Sequence, residues 1–271
     1  MLNEGGKGPY MASQAVELVV EENVATIALN NPETLNALTD QMLGELLSAV
    51  KQADKNPSVR VVVLTGRGRG FCSGQNLKAF EEGPEERDIG QHLDNYYHPL
   101  IKRVATLEKP TIAMVNGVAA GAGMSLALAC DYRIAAEGVR FSQAFVRIGL
   151  VPDSGSSYFL TRLIGYARAL EMATTGMMVD DKTALAWGLV NRLVPAERLA
   201  DETYGLAKSL ASGPPLALGM IKREMAFGLA HNLAETLERE KDFQIRAAQT
   251  EDHREAVKSF FAKKPPVFQG R

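Results

Sequence analysis

The sequence predicts an α/β fold with a parallel sheet, followed by a helical C-terminal subdomain. Short β-type runs alternate with helical patterns up to about residue 194, and residues 59–65 form a continuous apolar run typical of a strand buried on both faces. Strand signals then stop, and helical spacing continues through residues 199–211, 215–228, 232–250 and 252–262. We therefore divide the chain into a core of residues 15–198 and a helical subdomain of residues 199–271.

The N-terminal part of the core is predicted to be a hairpin followed by an amphipathic helix. Residues 16–20 and 24–29 are rich in β-forming side chains and are separated by Glu-Glu-Asn, which favours a turn. Thr39 stands where an N-cap is expected, because apolar side chains recur with helical spacing after it. Residues 1–14 carry glycines and a proline but no apolar segment, so we expect a flexible tail.

Composition argues against several classes of partner and cofactor. The net charge of −2 over 271 residues gives no reason to expect binding to nucleic acid or to an anionic membrane surface. No apolar run is long enough to span a bilayer. Cys72 and Cys130 form no disulfide framework and are expected to be reduced and buried in a cytoplasmic protein. The histidines and cysteines match no metal-ligand spacing, so no metal site is expected.

Residues 116–125, Asn-Gly-Val-Ala-Ala-Gly-Ala-Gly-Met-Ser, join a short β-type run to an uncharged segment that ends at Cys130. A helix without a polar face is expected to be buried. Its N-terminus could open into a cleft, where free backbone N–H groups and the positive end of the helix dipole face a ligand. The alternative is a tight helix–sheet contact that requires small residues for packing alone.

A second glycine-rich segment covers residues 66–76. It does not fit G-x-G-x-x-G, because the third glycine would fall on Phe71, and no Gly-Lys-Ser/Thr follows for a Walker motif. The interpretation of this segment as a turn with unusual backbone angles near a ligand is left as an alternative. The acidic segment 81–88 is interpreted as a solvated loop rather than a metal site.

Two residues are candidates for chemistry. Ser125 lies in Gly-Met-Ser-Leu-Ala, close to the nucleophile elbow G-x-S-x-G, which gives a hydrolase hypothesis with His92 or His98 as base. Asp153 follows the apolar approach Gly-Leu-Val-Pro. It either caps the next helix, the interpretation that the residues alone favour, or faces a cleft as a proton acceptor.

Five segments in order resemble the crotonase family, the enoyl-CoA hydratase/isomerase superfamily, over about residues 16–269. They are Leu-Asn-Ala-Leu at 35–38, Gly-Phe-Cys-Ser-Gly-Gln-Asn-Leu at 70–77, Lys-Pro at 109–110 before the small-residue segment, Trp-Gly-Leu-Val at 187–190 and Phe-Phe-Ala-Lys-Lys-Pro at 260–265. The resemblance implies a spiral of ββα units with C-terminal helices that form homotrimers, often paired into hexamers.

The resemblance also implies site residues. The family binds a coenzyme A (CoA) thioester and holds its carbonyl oxygen with two backbone N–H groups, which by motif position belong to Gln75 and Ala122. Because CoA is part of the substrate, no separate cofactor is implied. Residues implied to contact CoA, the last two from the same or a neighbouring subunit, are Leu35, Ala37, Ser73, Asn76, Leu77, Lys78, Phe260 and Lys263.

Departures from the family pattern favour an isomerase. Family hydratases use two glutamates, but Ser125 and Phe145 occupy those positions here. Asp153 falls where some isomerases of the family carry a single carboxylate, which suffices for a double-bond shift or a ring-epoxide isomerisation in fatty-acid or phenylacetate degradation. Ser125, Phe145 and His98 are expected to line the pocket.

Other functions stay open at this point. An enoyl-CoA hydratase is the main alternative within the family. A family dehalogenase is another, because His98 and Asp153 match its histidine and its nucleophilic aspartate, although Phe145 replaces its pocket tryptophan. A serine hydrolase acting through Ser125 and a non-catalytic acyl-CoA binder complete the alternatives.

Overall fold

A computed structural model describes residues 15–78 and 88–271 of the chain. The tail predicted over residues 1–14 and all of the acidic segment 81–88 except Asp88 lie outside the described residues. The strands are β1 (Val16–Glu21), β2 (Val24–Leu29), β3 (Val61–Gly66), β4 (Gly70–Cys72), β5 (Thr111–Val115), β6 (Val118–Ala120), β7 (Tyr132–Ala136), β8 (Arg140–Ser142), β9 (Met178–Asp180) and β10 (Arg192–Val194). The α-helices are α1 (Asp40–Lys55), α2 (Ile89–His92), α3 (His98–Thr106), α4 (Ala122–Leu128), α5 (Ser156–Ile164), α6 (Tyr166–Thr175), α7 (Asp181–Trp187), α8 (Leu199–Ala211), α9 (Pro215–Gly228), α10 (Leu233–Ala248) and α11 (Glu251–Ala262).

The strands form two sheets, with the orders β1-β2-β3-β5-β7-β10 and β4-β6-β8-β9. The pairs β1–β2 and β8–β9 are antiparallel, and the other neighbours are parallel. From β3 to β8 consecutive strands alternate between the sheets, so the chain winds in a spiral of two strands per turn, with helical connections. The predicted α/β spiral is confirmed, and so is the helical C-terminal region.

The predicted N-terminal elements are also confirmed. β1 and β2 pair as a hairpin, and Glu22 and Asn23 in the turn have φ of 48° and 66°. Positive φ at both central residues matches the twist of the two strands. The Thr39 hydroxyl accepts a hydrogen bond from the Met42 N–H at 3.2 Å, which caps α1. Every residue of β3 is buried, as its unbroken apolar run predicts.

Asn36 anchors the glycine-rich turn that follows β3. Its side chain is fully buried, and its Nδ2 donates to the carbonyl oxygens of Arg67 at 3.0 Å and Gly70 at 2.8 Å. Its Oδ1 accepts from the Asn31 N–H at 2.9 Å. The motif Leu-Asn-Ala-Leu therefore has a structural role at its second position, because this one amide satisfies backbone groups from two separate segments.

We expect Asn36→Ala to lower the free energy of unfolding by about 3 kcal/mol, because it leaves buried backbone groups unpaired. Asn23→Ala is the matched control, since Asn23 also has positive φ but is exposed, and its side chain donates to the Ser58 carbonyl at 2.7 Å. The control is expected to cost about 1 kcal/mol, chiefly from backbone strain. Chemical denaturation measures both variants, and equal losses would refute the anchoring role.

A π-helical turn at Leu93–Tyr97 joins α2 to α3 without a break in the helical backbone. Pro99 lies in the first turn of α3 and has no N–H to donate to the preceding turn, which favours a wider turn just before it. The turn ends at Tyr97, a buried side chain that lines the cavity described below.

The C-terminal helices divide into two groups by their packing. Helix α8 packs on β2, β3, β5 and β7 and buries Thr203 and Ala207. Helix α10 contacts both α9 and α11, and these three helices leave many apolar side chains exposed. The buried Asp252 carboxylate accepts from the N–H groups of Gln269 at 2.6 Å and Gly270 at 2.9 Å, which ties the C-terminal residues to α11. No helix among the described residues is both long and apolar enough to cross a bilayer.

Candidate active site

A cavity of about 290 Å³ lies where the loop after β4, the π turn, the start of α4 and the segment before α5 meet. Apolar side chains dominate its wall, as is usual for sites that bind small molecules. The described residues that line it are Ser73, Gly74, Gln75, Leu77, Ile89, His92, Leu93, Tyr97, Gly121, Ala122, Ala144, Phe145, Arg147, Ile148, Leu150 and Asp153.

The backbone N–H of Ala122 is one available donor in this cavity. Ala122 is the first residue of α4, so its N–H has no acceptor within the helix. Gly121 precedes it with φ of 51° and ψ of −128°, a conformation that is essentially restricted to glycine. The Gly121 N–H donates to the Ser142 carbonyl at 2.9 Å, which anchors the turn to β8. The N–H of Ala122 has no backbone acceptor among the described residues.

The backbone N–H of Gln75 is the second donor. Gln75 forms a parallel bridge with Leu38, in which the Leu38 N–H donates to Gly74 O at 2.7 Å and the Asn76 N–H donates to Leu38 O at 2.9 Å. In this pattern the N–H of Gln75 itself points away from Leu38. It likewise has no backbone acceptor in the part of the chain that the structure describes.

Gly74 brings the two donors together. Its φ of 98° suits glycine alone, and a Cβ there would lie 2.9 Å from Ala120 O and 3.6 Å from Ala122 N. The segment that carries Gln75 can therefore approach the start of α4 only because residue 74 has no side chain. Two adjacent unpaired N–H groups beside an apolar cavity are suited to bind an oxygen that gains negative charge.

Asp153 contributes a carboxylate to the same cavity. Its Oδ1 is buried and has no hydrogen-bond partner among the described residues. Burial raises the pKa of the Asp153 carboxyl above its ordinary value, and the Ser154 hydroxyl and the charge of His98 offset part of this rise. The helix-cap interpretation is wrong, because α5 begins only at Ser156, with Gly155 at its N-cap and no side-chain cap.

The three expected pocket residues have different positions. Phe145 lines the cavity. Ser125 is fully buried and is absent from the cavity wall; its hydroxyl contacts the carbonyl oxygens of Gly121 at 3.2 Å and Asp153 at 3.3 Å. His98 is also absent from the wall, and its Nδ1 lies 2.9 Å from Asp94 Oδ1. His92 lines the cavity in its place, in ring contact with Tyr97.

The predicted CoA segments lie side by side. The Ser73 N–H donates to Leu35 O at 3.0 Å, and the Ser73 hydroxyl donates to Thr34 O at 3.0 Å. Ala37 is buried, whereas Leu77 and Lys78 are exposed at the end of the segment. Asn76 Oδ1 accepts from the Lys78 N–H at 3.1 Å, so this side chain shapes the local turn. Ser73 and Leu77 line the cavity, which places these segments at its edge.

The remaining predicted CoA contacts lie elsewhere in the subunit. Phe260 is 78% exposed near the end of α11, edge-on to Phe261. Lys263 follows with φ of 52° and ends the helix. Neither residue lines the cavity of its own subunit.

Sequence reasoning missed the role of Tyr97 and of the Gln75 side chain. The Tyr97 hydroxyl donates to Gln75 Oε1, and both residues line the cavity. The Gln75 Nε2 is buried and unpaired among the described residues. The sequence analysis selected the neighbouring His98, whose imidazole contacts Asp94, whereas the π turn, which the sequence pattern does not show, directs Tyr97 inward.

The comparisons with known proteins agree with this architecture. The enoyl-CoA hydratase/isomerase family model matches residues 20–271. The chain is 41% identical over 254 residues to 1,2-epoxyphenylacetyl-CoA isomerase of Escherichia coli strain K12, covering 93% of this chain and 97% of the relative. It is 34% identical over 222 residues to 4-chlorobenzoyl coenzyme A dehalogenase-1 of an Arthrobacter species, covering 81% and 80% of the two chains.

Among solved structures, an enoyl-CoA hydratase from Bacillus anthracis superposes with a TM-score of 0.91 at 32% identity and covers 95% of this chain and 100% of its own. These three relatives are named for three different reactions, so similarity alone does not select one activity. The match along the chain and the shared fold establish the family, and the chain belongs to the enoyl-CoA hydratase/isomerase family.

Proposed function

We propose that this protein is an isomerase of acyl-CoA thioesters that uses Asp153 as its single proton carrier. The observation that carries the proposal is that Asp153 is the one carboxylate among the described residues lining the cavity, with a buried and unpaired Oδ1. A panel of 2-enoyl, 3-enoyl and aromatic CoA thioesters, assayed separately for isomerisation and hydration, tests it. Hydration without isomerisation would contradict the proposal.

The proposed reaction moves one proton. Ionised Asp153 removes a proton from C2 of a 3-enoyl thioester, and the electron pair of the broken C–H bond forms an enolate. The N–H groups of Gln75 and Ala122 hold the enolate oxygen, where donors fixed in advance are most effective because negative charge develops there. Protonated Asp153 then returns the proton at C4 and the double bond moves to C2–C3. No cofactor besides the CoA of the substrate is needed.

A ring-epoxide thioester is a further candidate substrate of the same site. Support comes from the similarity to the isomerase of Escherichia coli. The apolar wall formed by Ile89, Leu93, Phe145 and Leu150 suits a hydrocarbon ring as well as a linear chain. The substrate panel therefore includes both types.

The hydratase alternative has less support. Hydration by the family's usual route needs a second carboxylate to activate water, and the residues at the two glutamate positions are Ser125 and Phe145. Ser125 is buried with its hydroxyl against two carbonyl oxygens, and Phe145 presents an apolar ring. Neither side chain can take a proton from water at neutral pH.

The dehalogenase alternative rests on His98 and Asp153 together. The imidazole of His98 contacts Asp94 and does not line the cavity. A covalent aryl adduct on Asp153, detected by intact mass after incubation with 4-chlorobenzoyl-CoA, would favour this reaction over isomerisation. We expect no adduct.

The two classes outside the family chemistry also have less support. Among the described residues the Ser125 hydroxyl contacts two carbonyl oxygens and no histidine, so it lacks the base that a nucleophilic serine needs. A non-catalytic binder would gain nothing from a buried, unpaired carboxylate, which costs stability.

The raised pKa of Asp153 has two measurable consequences of defined sign. Only the ionised carboxylate can accept the C2 proton, so kcat/KM should fall as the pH drops through a value above the ordinary aspartate pKa of about 3.9. The folded state also binds this proton more tightly than the unfolded chain, so ionisation of Asp153 lowers stability as the pH rises through the same window. We therefore expect Asp153→Asn to raise Tm at pH 7, measured by calorimetry; a lower Tm would contradict the assigned environment.

We further propose that the C-terminal helices assemble the protein into homotrimers or hexamers. The exposed side chains of Ile221 and Met225 on α9 and of Leu229 directly after it recur at every fourth position and form an apolar stripe. Leu233 and Leu237 add exposed apolar area on α10. Sedimentation velocity should show a trimer or hexamer, and Met225→Lys should shift it towards smaller species. A wild-type monomer at micromolar concentration would refute the assembly.

A further inference from the structure

The loop that carries Asp153 has an unusual backbone. Gly149, Ser154 and Gly155 have φ of 73°, 53° and 75°, so three of the seven residues from 149 to 155 are in the left-handed region. Ser154 adopts this conformation without being glycine, which costs free energy that surrounding contacts must supply. A loop of this kind needs external tethers to hold one side chain in place.

Two side-chain hydrogen bonds, one buried and one partly buried, tether this loop to the rest of the core. The Ser156 hydroxyl donates to Gln143 Oε1 at 2.6 Å, and both residues are at most 1% exposed. The Ser125 hydroxyl contacts Asp153 O at 3.3 Å from within α4. The first tether starts just after β8, and the second starts in the helix whose N-terminus supplies the Ala122 donor.

Both tethers lead to the carbonyl oxygen of Asp153. The Asp153 carbonyl also accepts from the Ser156 N–H at 2.9 Å, so the residue held by Gln143 is bonded directly to the residue that carries the carboxylate. Ser125 in turn contacts Gly121 O at 3.2 Å, which joins the carboxylate loop to the turn before Ala122. A connected set of contacts therefore links the loop that carries Asp153 to the turn that precedes the Ala122 N–H.

We propose that Gln143, Ser156 and Ser125 are positioning residues that hold Asp153 at a fixed place relative to the Ala122 N–H. This proposal rests on the function proposed above and assigns a role to Ser125, which stands at a glutamate position of the family hydratases. None of the three side chains lines the cavity, so they act through Asp153 and not on the substrate.

The expected loss of kcat follows from the precise geometry that proton transfer requires. A displacement of about 1 Å in a reacting group costs about 10²-fold in rate. We expect Ser156→Ala to lower kcat for isomerisation of a 3-enoyl-CoA by 10- to 100-fold, with the Kd of a non-reactive saturated acyl-CoA unchanged within about twofold. Ser259→Ala is the matched control, because Ser259 is also buried and its hydroxyl donates to a side-chain oxygen, that of Glu255 at 2.8 Å, on α11. This control should leave kcat unchanged.

A double-mutant cycle separates positioning from general loss of packing. If Gln143 acts through Ser156, Gln143→Leu should lower kcat to a similar extent, and the double variant should lose little more than either single variant. Ser125→Ala should lower kcat further when added to Ser156→Ala, because it removes a separate tether. Circular dichroism and Tm verify that each variant is folded. Gln143→Glu, which keeps an acceptor for Ser156, is the conservative variant and should lose less kcat than Gln143→Leu; if the leucine variant does not fold, Ser156→Ala alone decides the test.

The outcomes distinguish this inference from the proposed function. Wild-type isomerisation with kcat of folded Ser156→Ala and Gln143→Leu within twofold of wild type would overturn the positioning role and leave the function intact. Losses that multiply independently in the double variant would also overturn the Gln143–Ser156 link. Absence of wild-type isomerisation, with acyl-CoA binding retained, would instead refute the proposed function.

Discussion

Asp153→Asn is expected to abolish isomerisation, with kcat reduced by at least 10³-fold. A positioned acid–base group contributes about 10²- to 10⁴-fold, and here the same carboxylate is assigned both proton transfers. Asparagine keeps the size of the side chain but cannot accept the C2 proton. Binding of a saturated acyl-CoA should stay within about threefold, because the carboxylate is assigned no contact with CoA. Steady-state kinetics and calorimetric titration measure the two quantities.

Asp94→Asn is the matched control for this change. It makes the same chemical substitution at a carboxylate that contacts His98 and lies outside the cavity wall. We expect its kcat to stay within about threefold of wild type. Equal losses in the two variants would mean that the pair of Asp94 and His98 takes part in the chemistry, and an active Asp153→Asn enzyme would remove Asp153 from the mechanism.

The second large effect is expected from Ala122→Pro. Ala122 is the first residue of α4, where proline is well tolerated and its missing N–H breaks no helical bond. The substitution removes one of the two assigned donors and puts a ring carbon in the place of its hydrogen. Losing one such donor typically costs about 2.7–4 kcal/mol of transition-state stabilisation, or about 10²- to 10³-fold in kcat.

Ala122→Gly is the control for the proline substitution, because it keeps the N–H while it also changes the side chain. Its kcat should fall by less than about tenfold, a loss that reflects greater backbone freedom at the start of the helix. The Tm of both variants, measured by calorimetry, shows whether the fold is kept. A folded proline variant with near wild-type kcat would show that the Ala122 N–H does not bind the developing charge.

Much of the fold follows from local patterns in the sequence. The hairpin, the Thr39 cap, the buried strand β3 and the boundaries of α8 and α9 each depend on residues close together in the chain. The division of alternate strands between two sheets depends on long-range pairing, such as β3 with β5. Periodicity carries no information on this pairing, and only the family resemblance indicated the spiral.

Less of the candidate site than of the fold could be predicted from individual residues. The small residues at 116–125 suggested either a helix N-terminus that opens into a cleft or a tight helix–sheet contact. In the structure Gly121 takes a backbone conformation open only to glycine, and Gly74, from the other glycine-rich segment, leaves room for the neighbouring backbone. The cap interpretation of Asp153 is wrong because Gly155, and not Asp153, is the N-cap residue of α5. The π turn that directs Tyr97 inward has no sequence periodicity of its own.

Transfer of deuterium from C2 to C4 tests the single-carrier mechanism most directly. A 3-enoyl-CoA labelled with deuterium at C2 is converted in ordinary water under single-turnover conditions, and the product is analysed by NMR and mass spectrometry. Because one buried carboxylate removes and returns the proton, part of the C2 deuterium should appear at C4 of the product, and Asp153→Asn should give no transfer. Product formed at the wild-type rate with only solvent hydrogen at C4 would contradict a single Asp153 carrier and indicate a second proton donor.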